Sequence, residues 1–294
     1  MMQMMHMYVC VKQTPDGASV YIDPITGQVD VERFVQVLNP ADACAIEAAV
    51  RLKEHIGGPV TVLTIGPRDA EGALRAGLAL GADTALRLWN DNAAAWGPFT
   101  VAAALASFVR HLEIEPDLIL CGDASSDWSS SSVGPALAQH LALSQVTGVS
   151  QLTVVHESVP VRLHVTRKLE RGYREILEVE TPLLMTVTAD LNEPRYPSLP
   201  AHLAALKATI PVVDPNTFMI FGDEDSDETT LLEMHMPRPR PRYVTTPNSK
   251  DSAYRRIGDI VSGGATSRKA RLIEGTPEEL AATLVDFLKA RGFV

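Results

Sequence analysis

The chemistry that this sequence could support is concentrated in one loop of small polar residues. The loop follows an apolar run ending at Cys121 and reads GDASSDWSSSS over residues 122–132, here called the serine loop. Val133-Gly134-Pro135 then opens a helical pattern. Backbone N–H groups and serine hydroxyls at a helix N-terminus form an anion site, so the pattern predicts a phosphate cradle. A flexible linker is the alternative, but Trp128 within the run indicates a packed loop.

A second polar position comes just before the first predicted helix. Asn39 precedes Pro40, which is the order of an N-cap residue followed by proline at the first helical position. Apolar residues at helical spacing extend this helix to about His55. A helix cap alone would account for Asn39. Because the helix follows the first strand region, Asn39 is also placed to hold an adenine or a ribose at the sheet edge.

A third notable segment spans residues 190–200 and reads DLNEPRYPSLP, here called the docking segment. Its three prolines restrict the backbone, while Leu191, Tyr196 and Leu199 are unusually apolar for a surface loop. A rigid loop with an apolar tip is suited to protein docking. The alternative is a strand-to-helix connection that packs on its own domain.

The sequence lacks the standard signatures of several enzyme classes. It contains no GxxxxGK[ST], no GxGxxG after the first strand, no GxSxG and no HExxH. The eight histidines are scattered, and pairs such as His164 with Glu170 fit surface strand residues better than a catalytic site. Three cysteines, Cys10, Cys44 and Cys121, match neither a zinc pattern nor a disulfide framework. We therefore expect no metal site and no catalytic residues.

Charge and hydropathy restrict the partners. The formal net charge is −10, which disfavours nucleic acid and anionic membrane surfaces, since both attract basic proteins. No apolar run approaches the length of a transmembrane helix, and the Met-rich start lacks the features of a signal peptide. These observations predict a cytoplasmic protein with free thiols.

The order of predicted elements indicates an α/β fold. β-branched runs alternate with helical patterns, as in a parallel sheet with crossover helices. From residue 151 the strands follow one another without helices, so we expect antiparallel additions to a mostly parallel, Rossmann-like sheet. The predicted strands are Met7 to Lys12, Val60 to Ile65, Thr84 to Leu88, Asp117 to Cys121, 151–156, 160–167, 174–180 and Leu183 to Thr188, with short extended pieces near Val20 and Val29.

The C-terminal third reads as an extended arm that ends in a helix. An acidic run from Asp223 to Glu228 precedes a Pro/Arg stretch from Pro237 to Pro247, and both favour extended chain. Thr276-Pro277-Glu278-Glu279 is a capping box that opens an amphipathic helix. We predict an adenine-nucleotide-binding α/β domain over 1–210 and, over 211–294, an arm and terminal helix that pack on a partner.

Several segments together resemble the beta subunit of electron-transfer flavoproteins. They are VCVK at 9–12, NP at 39–40 with AAVRLKE at 48–54, GLALGAD at 77–83, the serine loop ending in Val133-Gly134, the stretch from Val165 to Pro182, and the docking segment. The docking segment is the most specific, because LNEPRY followed by LP resembles the family's recognition loop almost letter for letter. The resemblance covers about residues 7–210.

This resemblance implies a Rossmann-like fold and a larger alpha subunit as partner, with the redox FAD shared between the two subunits. It also implies a second nucleotide in this chain, either AMP or a second FAD. The implied cofactor-binding residues are Cys10, Asn39, Pro40, Ala41, Asp42, Ile65, Asp127, Trp128, Ser129, Ser130, Ser131, Ser132, Val133, Gly134, Pro135, Ala136, Leu137 and Ala138. The implied partner-docking residues are Leu191, Asn192, Glu193, Pro194, Arg195 and Tyr196, with Leu191 as the anchor in a dehydrogenase pocket. Dehydrogenases would donate electrons, and a quinone oxidoreductase is an implied acceptor.

The serine loop departs from the family pattern. Its Val133-Gly134-Pro135 ending and the segment Ile257 to Gly264 resemble the electron-bifurcating members, which favours a second FAD over AMP. Trp128 and the run of serines match neither type of member. Two other functions remain open: a free-standing nucleotide-binding or hydrolysing α/β protein, and an interaction subunit that has lost its nucleotide.

Overall fold

The computed structural model describes residues 4–21, 34–89, 93, 96–112, 114–157, 160–217, 251–254, 256–257 and 275–290. The chain divides into two compact units, Met1–Pro237 and Arg238–Val294. Four sequence predictions lie outside the described residues: the extended piece near Val29, the acidic run, the Pro/Arg stretch and nearly all of Ile257 to Gly264.

The first unit alternates strands and helices as predicted. Its strands are β1 Met7–Cys10, β2 Gln13–Pro15, β3 Gln36–Leu38, β4 Val60–Ile65, β5 Thr84–Leu88, β6 Leu118–Gly122, β7 Ser144–His156, β8 Arg162–Lys168, β9 Arg174–Glu180, β10 Leu183–Val187 and β11 Val212–Val213. Its helices are α1 Pro40–Ile56, α2 Glu71–Leu80, α3 Pro98–His111, α4 Val133–Leu141 and α5 Leu199–Lys207. The α/β fold class is confirmed.

Nine strands form one sheet in the order β11-β5-β4-β1-β6-β10-β7-β8-β9. Every pair from β11 to β7 is parallel, whereas β7-β8 and β8-β9 are antiparallel. The predicted antiparallel addition is thus confirmed at one end of the sheet. The sheet also extends past residue 210, the predicted domain boundary, because β11 pairs with β5 at the other end.

The prediction was wrong for β10, which we had grouped with the antiparallel strands. β10 lies between β6 and β7 and is parallel to both. All five of its residues are buried, as expected for a central strand covered on both faces. β7 also begins at Ser144, earlier than the predicted residue 151, because its first half pairs with β10 and only its second half pairs with β8.

The predicted extended piece near Val20 is not a strand, and the two short strands of this region lie at residues 13–15 and 36–38 instead. β2 and β3 pair antiparallel in a separate two-stranded sheet directly after β1 and directly before α1. Asn39 N–H then donates to the Lys12 carbonyl at 3.0 Å, which brings the start of α1 back to the end of β1. This return positions Asn39 at the edge of the main sheet.

The core lies on both faces of the sheet. Alternate residues of β1 point to opposite faces: Met7 and Val9 belong to the core under α1 and α2, and Tyr8 and Cys10 to the core under α3 and α4. α1 begins at Pro40 and ends at Ile56, and its C-cap residue Gly57 has a φ of 81° that suits glycine better than any other residue.

The second unit contains α6, Pro277–Ala290. The predicted capping box is confirmed, since Thr276 N–H donates to Glu279 Oε2 (3.0 Å) and Glu279 N–H donates to Thr276 Oγ1 (3.4 Å). Within the described residues, no helix has both the length and the apolar character needed to cross a membrane.

Candidate functional site

The carboxyl ends of β1 and β6 define the candidate site. The chain passes from β1 to β4 and β5 on one side and later returns to the other side of β1 as β6. This reversal is the topological switch point at which open parallel sheets bind ligands. The structure brings together there Cys10, the Asn39–Asp42 turn and the serine loop, as the sequence predicted.

Asn39 has a different role from the predicted helix cap. It stands at the N-cap position, but its side chain makes no capping hydrogen bond. Instead, Nδ2 donates to the Ala124 carbonyl (3.0 Å) and Oδ1 accepts from Ser126 N–H (3.1 Å). The side chain is buried, with the residue 2% exposed. Asn39 therefore bridges the start of α1 to the start of the serine loop.

Asp42 fixes the two strand ends at this edge. Its carboxylate accepts from Lys12 N–H (2.7 Å), two residues beyond the end of β1, and from Gly122 N–H (2.9 Å), the last residue of β6. Burial raises the pKa of Asp42 to about 6, against the hydrogen bonds from Asn39, Lys12 and Gly122 that favour the ionised form. A Cβ at Gly122 would lie 2.4 Å from Asp42 Oδ1, so this close approach requires glycine.

Lys12 supplies a cation that the sequence analysis did not assign to the site. Its Nζ contacts Asp127 at 2.6 Å, so the ion pair joins the end of β1 to the serine loop. Burial alone would raise the pKa of Asp127, but the hydrogen bonds and charge of Lys12 lower it. The available sequence signal was the position of Lys12 at the carboxyl end of the predicted first strand, because residues there lie at the ligand edge of a parallel sheet.

The serine loop is exposed and internally hydrogen-bonded. Ser129 and Ser131 adopt left-handed backbone conformations with φ of 50° and 53°, which is unusual for residues other than glycine. Ser129 Oγ donates to the Ser125 carbonyl (3.1 Å) and Ser132 Oγ to the Ser130 carbonyl (2.8 Å). Trp128 is 76% exposed, so the inference that it packs within the loop was wrong.

α4 starts at Val133 as predicted and packs closely on the sheet. A Cβ at Gly134 would lie 2.6 Å from Thr186 Cγ2 and 2.9 Å from Cys121 Sγ. Leu137 and Ala138 are fully buried against the sheet, so they support the helix and offer no atoms to a ligand. At this edge α4 can offer the N–H groups of Val133 and Gly134, because Pro135 has no N–H and Ala136 N–H donates to the Ser132 carbonyl (3.1 Å).

The cysteines near the site are neutral packing residues. Cys10 and Cys121 are register partners on β1 and β6, and both are buried. Burial raises the pKa of Cys10 to about 12 and that of Cys121 well above its usual value. Thiols protonated at physiological pH are poor nucleophiles, so neither is suited to covalent chemistry. Ile65, at the end of β4, is half-buried beside them.

The docking segment lies along the flank of α1. Leu191 is half-buried against the core and lines a groove of about 220 Å³ with Leu52 and Leu152. Tyr196 is 98% exposed and Leu199 is 69% exposed. The most exposed apolar side chains of the segment are therefore Tyr196 and Leu199, whereas Leu191, the predicted anchor, is half-buried.

α5 extends this apolar surface. Leu199, Leu203 and Leu206 are exposed and lie on one face of the helix at i, i+4 and i+7 spacing. The opposite face carries the buried Ala205. An outward apolar stripe on a helix that is already packed is typical of an interaction surface.

Comparisons with known proteins connect this architecture to one family. The model of the electron transfer flavoprotein domain matches residues 27–217. The chain is 40% identical over 271 residues to the electron transfer flavoprotein subunit beta of Thermoanaerobacterium thermosaccharolyticum. The aligned region covers 92% of this chain and 97% of that protein. It is 33% identical over 264 residues to protein FixA of Azotobacter vinelandii, covering 87% and 92%. It is 36% identical over 209 residues to subunit CarD of the caffeyl-CoA reductase-Etf complex of Acetobacterium woodii, covering 71% and 78%.

Proposed function

The chain belongs to the electron transfer flavoprotein family and resembles its beta subunits, and we propose that it pairs with a larger alpha subunit to carry electrons through a shared FAD. Its role is electron transfer rather than catalysis of a substrate reaction. The observation that supports a nucleotide-binding subunit is the position of the serine loop and Asn39 at the topological switch point of the parallel sheet.

We further propose that the cradle holds an adenine nucleotide, a second FAD in preference to AMP. The donors that fit a diphosphate are the Val133 and Gly134 N–H groups at the start of α4, the backbone of the serine loop and the Lys12 ammonium. Trp128 is exposed at this edge, where its indole can stack on a ring of the nucleotide. The flavin supplies the redox chemistry, and this chain binds and orients it.

The docking segment and α5 are the proposed surface for the electron-donating dehydrogenase. The exposed apolar side chains of Tyr196 and Leu199 suit a pocket on the partner, and hydrogen bonds of Asn192 and Arg195 attach the chain just before Tyr196 to α1. The name of the CarD relative refers to a caffeyl-CoA reductase. We therefore propose a dehydrogenase or reductase of CoA esters as the partner class.

The terminal helix α6 is the proposed contact with the alpha subunit. Leu280, Leu284 and Phe287 are exposed and repeat at i, i+4 and i+7, which gives α6 one apolar face. Deleting residues 276–294 should release the larger subunit on gel filtration. An intact heterodimer after the deletion would remove α6 from the interface.

Counting cofactors in the co-expressed complex tests the function. Two FAD per heterodimer supports the preferred assignment, and one FAD with one AMP supports a simple carrier. One FAD without a second nucleotide would refute the cradle. A colourless chain that forms no complex with any alpha subunit would refute the carrier function itself.

A further inference from the structure

The docking segment has no regular secondary structure between Asp190 and Ser198, yet it is attached to α1 at several points. Asn192 Nδ2 donates to the Cys44 carbonyl at 3.0 Å, and Arg51 Nη2 donates to the Glu193 carbonyl at 3.1 Å. Arg195 makes the largest number of these attachments. A loop held in this way by side chains of one helix loses little freedom when it meets a partner.

Glu47 is the centre of the attachment. Its side chain is 2% exposed, although it is an acid in the middle of α1. Its two oxygens accept from Arg195 Nε (2.9 Å), Arg195 Nη2 (3.2 Å) and the backbone N–H of Arg195 (3.1 Å), and Arg51 adds a further contact. Burial works to raise the pKa of Glu47, but these hydrogen bonds lower it. A buried carboxylate is tolerated only when it is paired in this way.

The guanidinium of Arg195 is almost fully used within the chain. Besides its bonds to Glu47, it donates from Nη1 (2.5 Å) and Nη2 (3.0 Å) to the two carboxylate oxygens of Glu54, about two turns further along α1. Such fork-like pairing fixes the plane of the group as well as its position. The next residue, Tyr196, has no such restraint and projects into solvent.

We propose that Arg195 is a positioning residue, which acts through Glu47 to hold Tyr196 in the orientation that a dehydrogenase recognises. This inference rests on the proposed docking function. Arg195 does not contact the partner in this scheme, because its N–H groups are already committed to Glu47 and Glu54. Its contribution is a fixed backbone at residue 195, on which the exposed ring depends.

The hydrogen bonds of Arg195 to Glu47 and Glu54 are here called the clasp. Glu47→Gln tests the clasp without altering the docking segment itself. Trypsin cleaves after arginine, so the Arg195–Tyr196 bond reports on local opening of the segment, with the Arg171–Gly172 bond in an exposed turn as the reference. In the co-expressed heterodimer we expect Glu47→Gln to accelerate cleavage after Arg195 about tenfold relative to the reference. Glu54→Gln removes only an exposed arm of the clasp and serves if the buried variant fails to fold.

Electron transfer provides the second readout. The probe is the member of a panel of CoA-ester dehydrogenases that reduces the wild-type complex fastest, and reduction by dithionite monitors the flavin without docking. Glu47→Gln, Arg195→Lys and Tyr196→Ala should each lower the second-order rate about tenfold, at unchanged flavin content and dithionite rate. Lysine retains the charge but cannot span both carboxylates. Arg162→Lys, at an exposed arginine paired with Glu178 and Glu180, is the matched control and should change nothing.

The double variant Arg195→Lys/Tyr196→Ala separates the possible outcomes. If Arg195 acts only through Tyr196, the double variant is no slower than the slower single variant. Additive losses would overturn the inference, because they would mean that Arg195 contacts the dehydrogenase directly. Normal rates for Arg195→Lys with slow Tyr196→Ala would overturn the positioning role but keep the docking function. Normal rates for Tyr196→Ala would overturn the docking function.

Discussion

Replacing Asn39 by alanine is the sharpest test of the cradle. The change removes both hydrogen bonds that the side chain makes to the serine loop, to the Ala124 carbonyl and from Ser126 N–H. Each such bond contributes about 1 kcal/mol net. The loop would therefore lose about 2 kcal/mol of its attachment to α1. If nucleotide binding requires the serine loop in its attached conformation, the variant must supply this free energy of about 2 kcal/mol on binding, and its affinity for the nucleotide falls roughly 30-fold.

The measurement is a calorimetric titration of the nucleotide-depleted heterodimer with FAD and, separately, with AMP. Asn216→Ala is the control, since Asn216 is an exposed amide after β11 and away from the cradle. We expect the control to bind like the wild type and Asn39→Ala to bind about 30-fold more weakly, with the partner's FAD retained. An affinity for both nucleotides within twofold of the wild type would refute the role of Asn39 in shaping the cradle.

Three further outcomes follow from the same contacts. The pKa of Asp42 is about 6 in the folded chain and 3.8 for the free side chain, so between these pH values the folded state binds more protons than the unfolded state. The free energy of unfolding should therefore fall by roughly 3 kcal/mol as the pH rises across this range. Asp42→Asn should flatten this pH dependence in urea titrations. Lys12→Met should weaken nucleotide binding about fivefold at low salt and less at high salt, as measured by titration at two ionic strengths. Leu191→Ala should lower the free energy of unfolding by about 2 kcal/mol, because Leu191 packs on the core, and leave the dehydrogenase rate unchanged.

The fold was largely predictable because local patterns carry most of its information. The apolar strands, the proline at the start of α1 and the capping box of α6 each depend on neighbouring residues only. The place of β10 could not be predicted in this way. A buried run such as Leu183 to Val187 fits a central parallel strand as well as an edge addition, and its position between β6 and β7 depends on pairing partners far away in the chain.

The site was predictable in location but not in its contacts. The serine loop, Asn39 and the start of α4 do meet at one edge of the sheet. The Lys12–Asp127 pair joins residues that are 115 positions apart, so no local pattern could show it. Glu47 left one signal, since an acid among the apolar residues of α1 needs a buried cation, but its partner Arg195 is 148 positions away. The exposure of Trp128 was missed because a tryptophan usually packs.

α1 joins the two proposed surfaces in one rigid element. Its first turn carries Asp42, which binds the strand ends below the cradle, and its later turns carry Glu47 and Glu54, which hold the docking segment. At a rise of 1.5 Å per residue, these carboxylates stand about 8 and 18 Å further along the helix than Asp42. Because α1 is packed on the sheet along most of its length, this spacing is fixed by the core. In the proposed complex, a dehydrogenase seated on Tyr196 would thereby be held at a set distance from the nucleotide cradle.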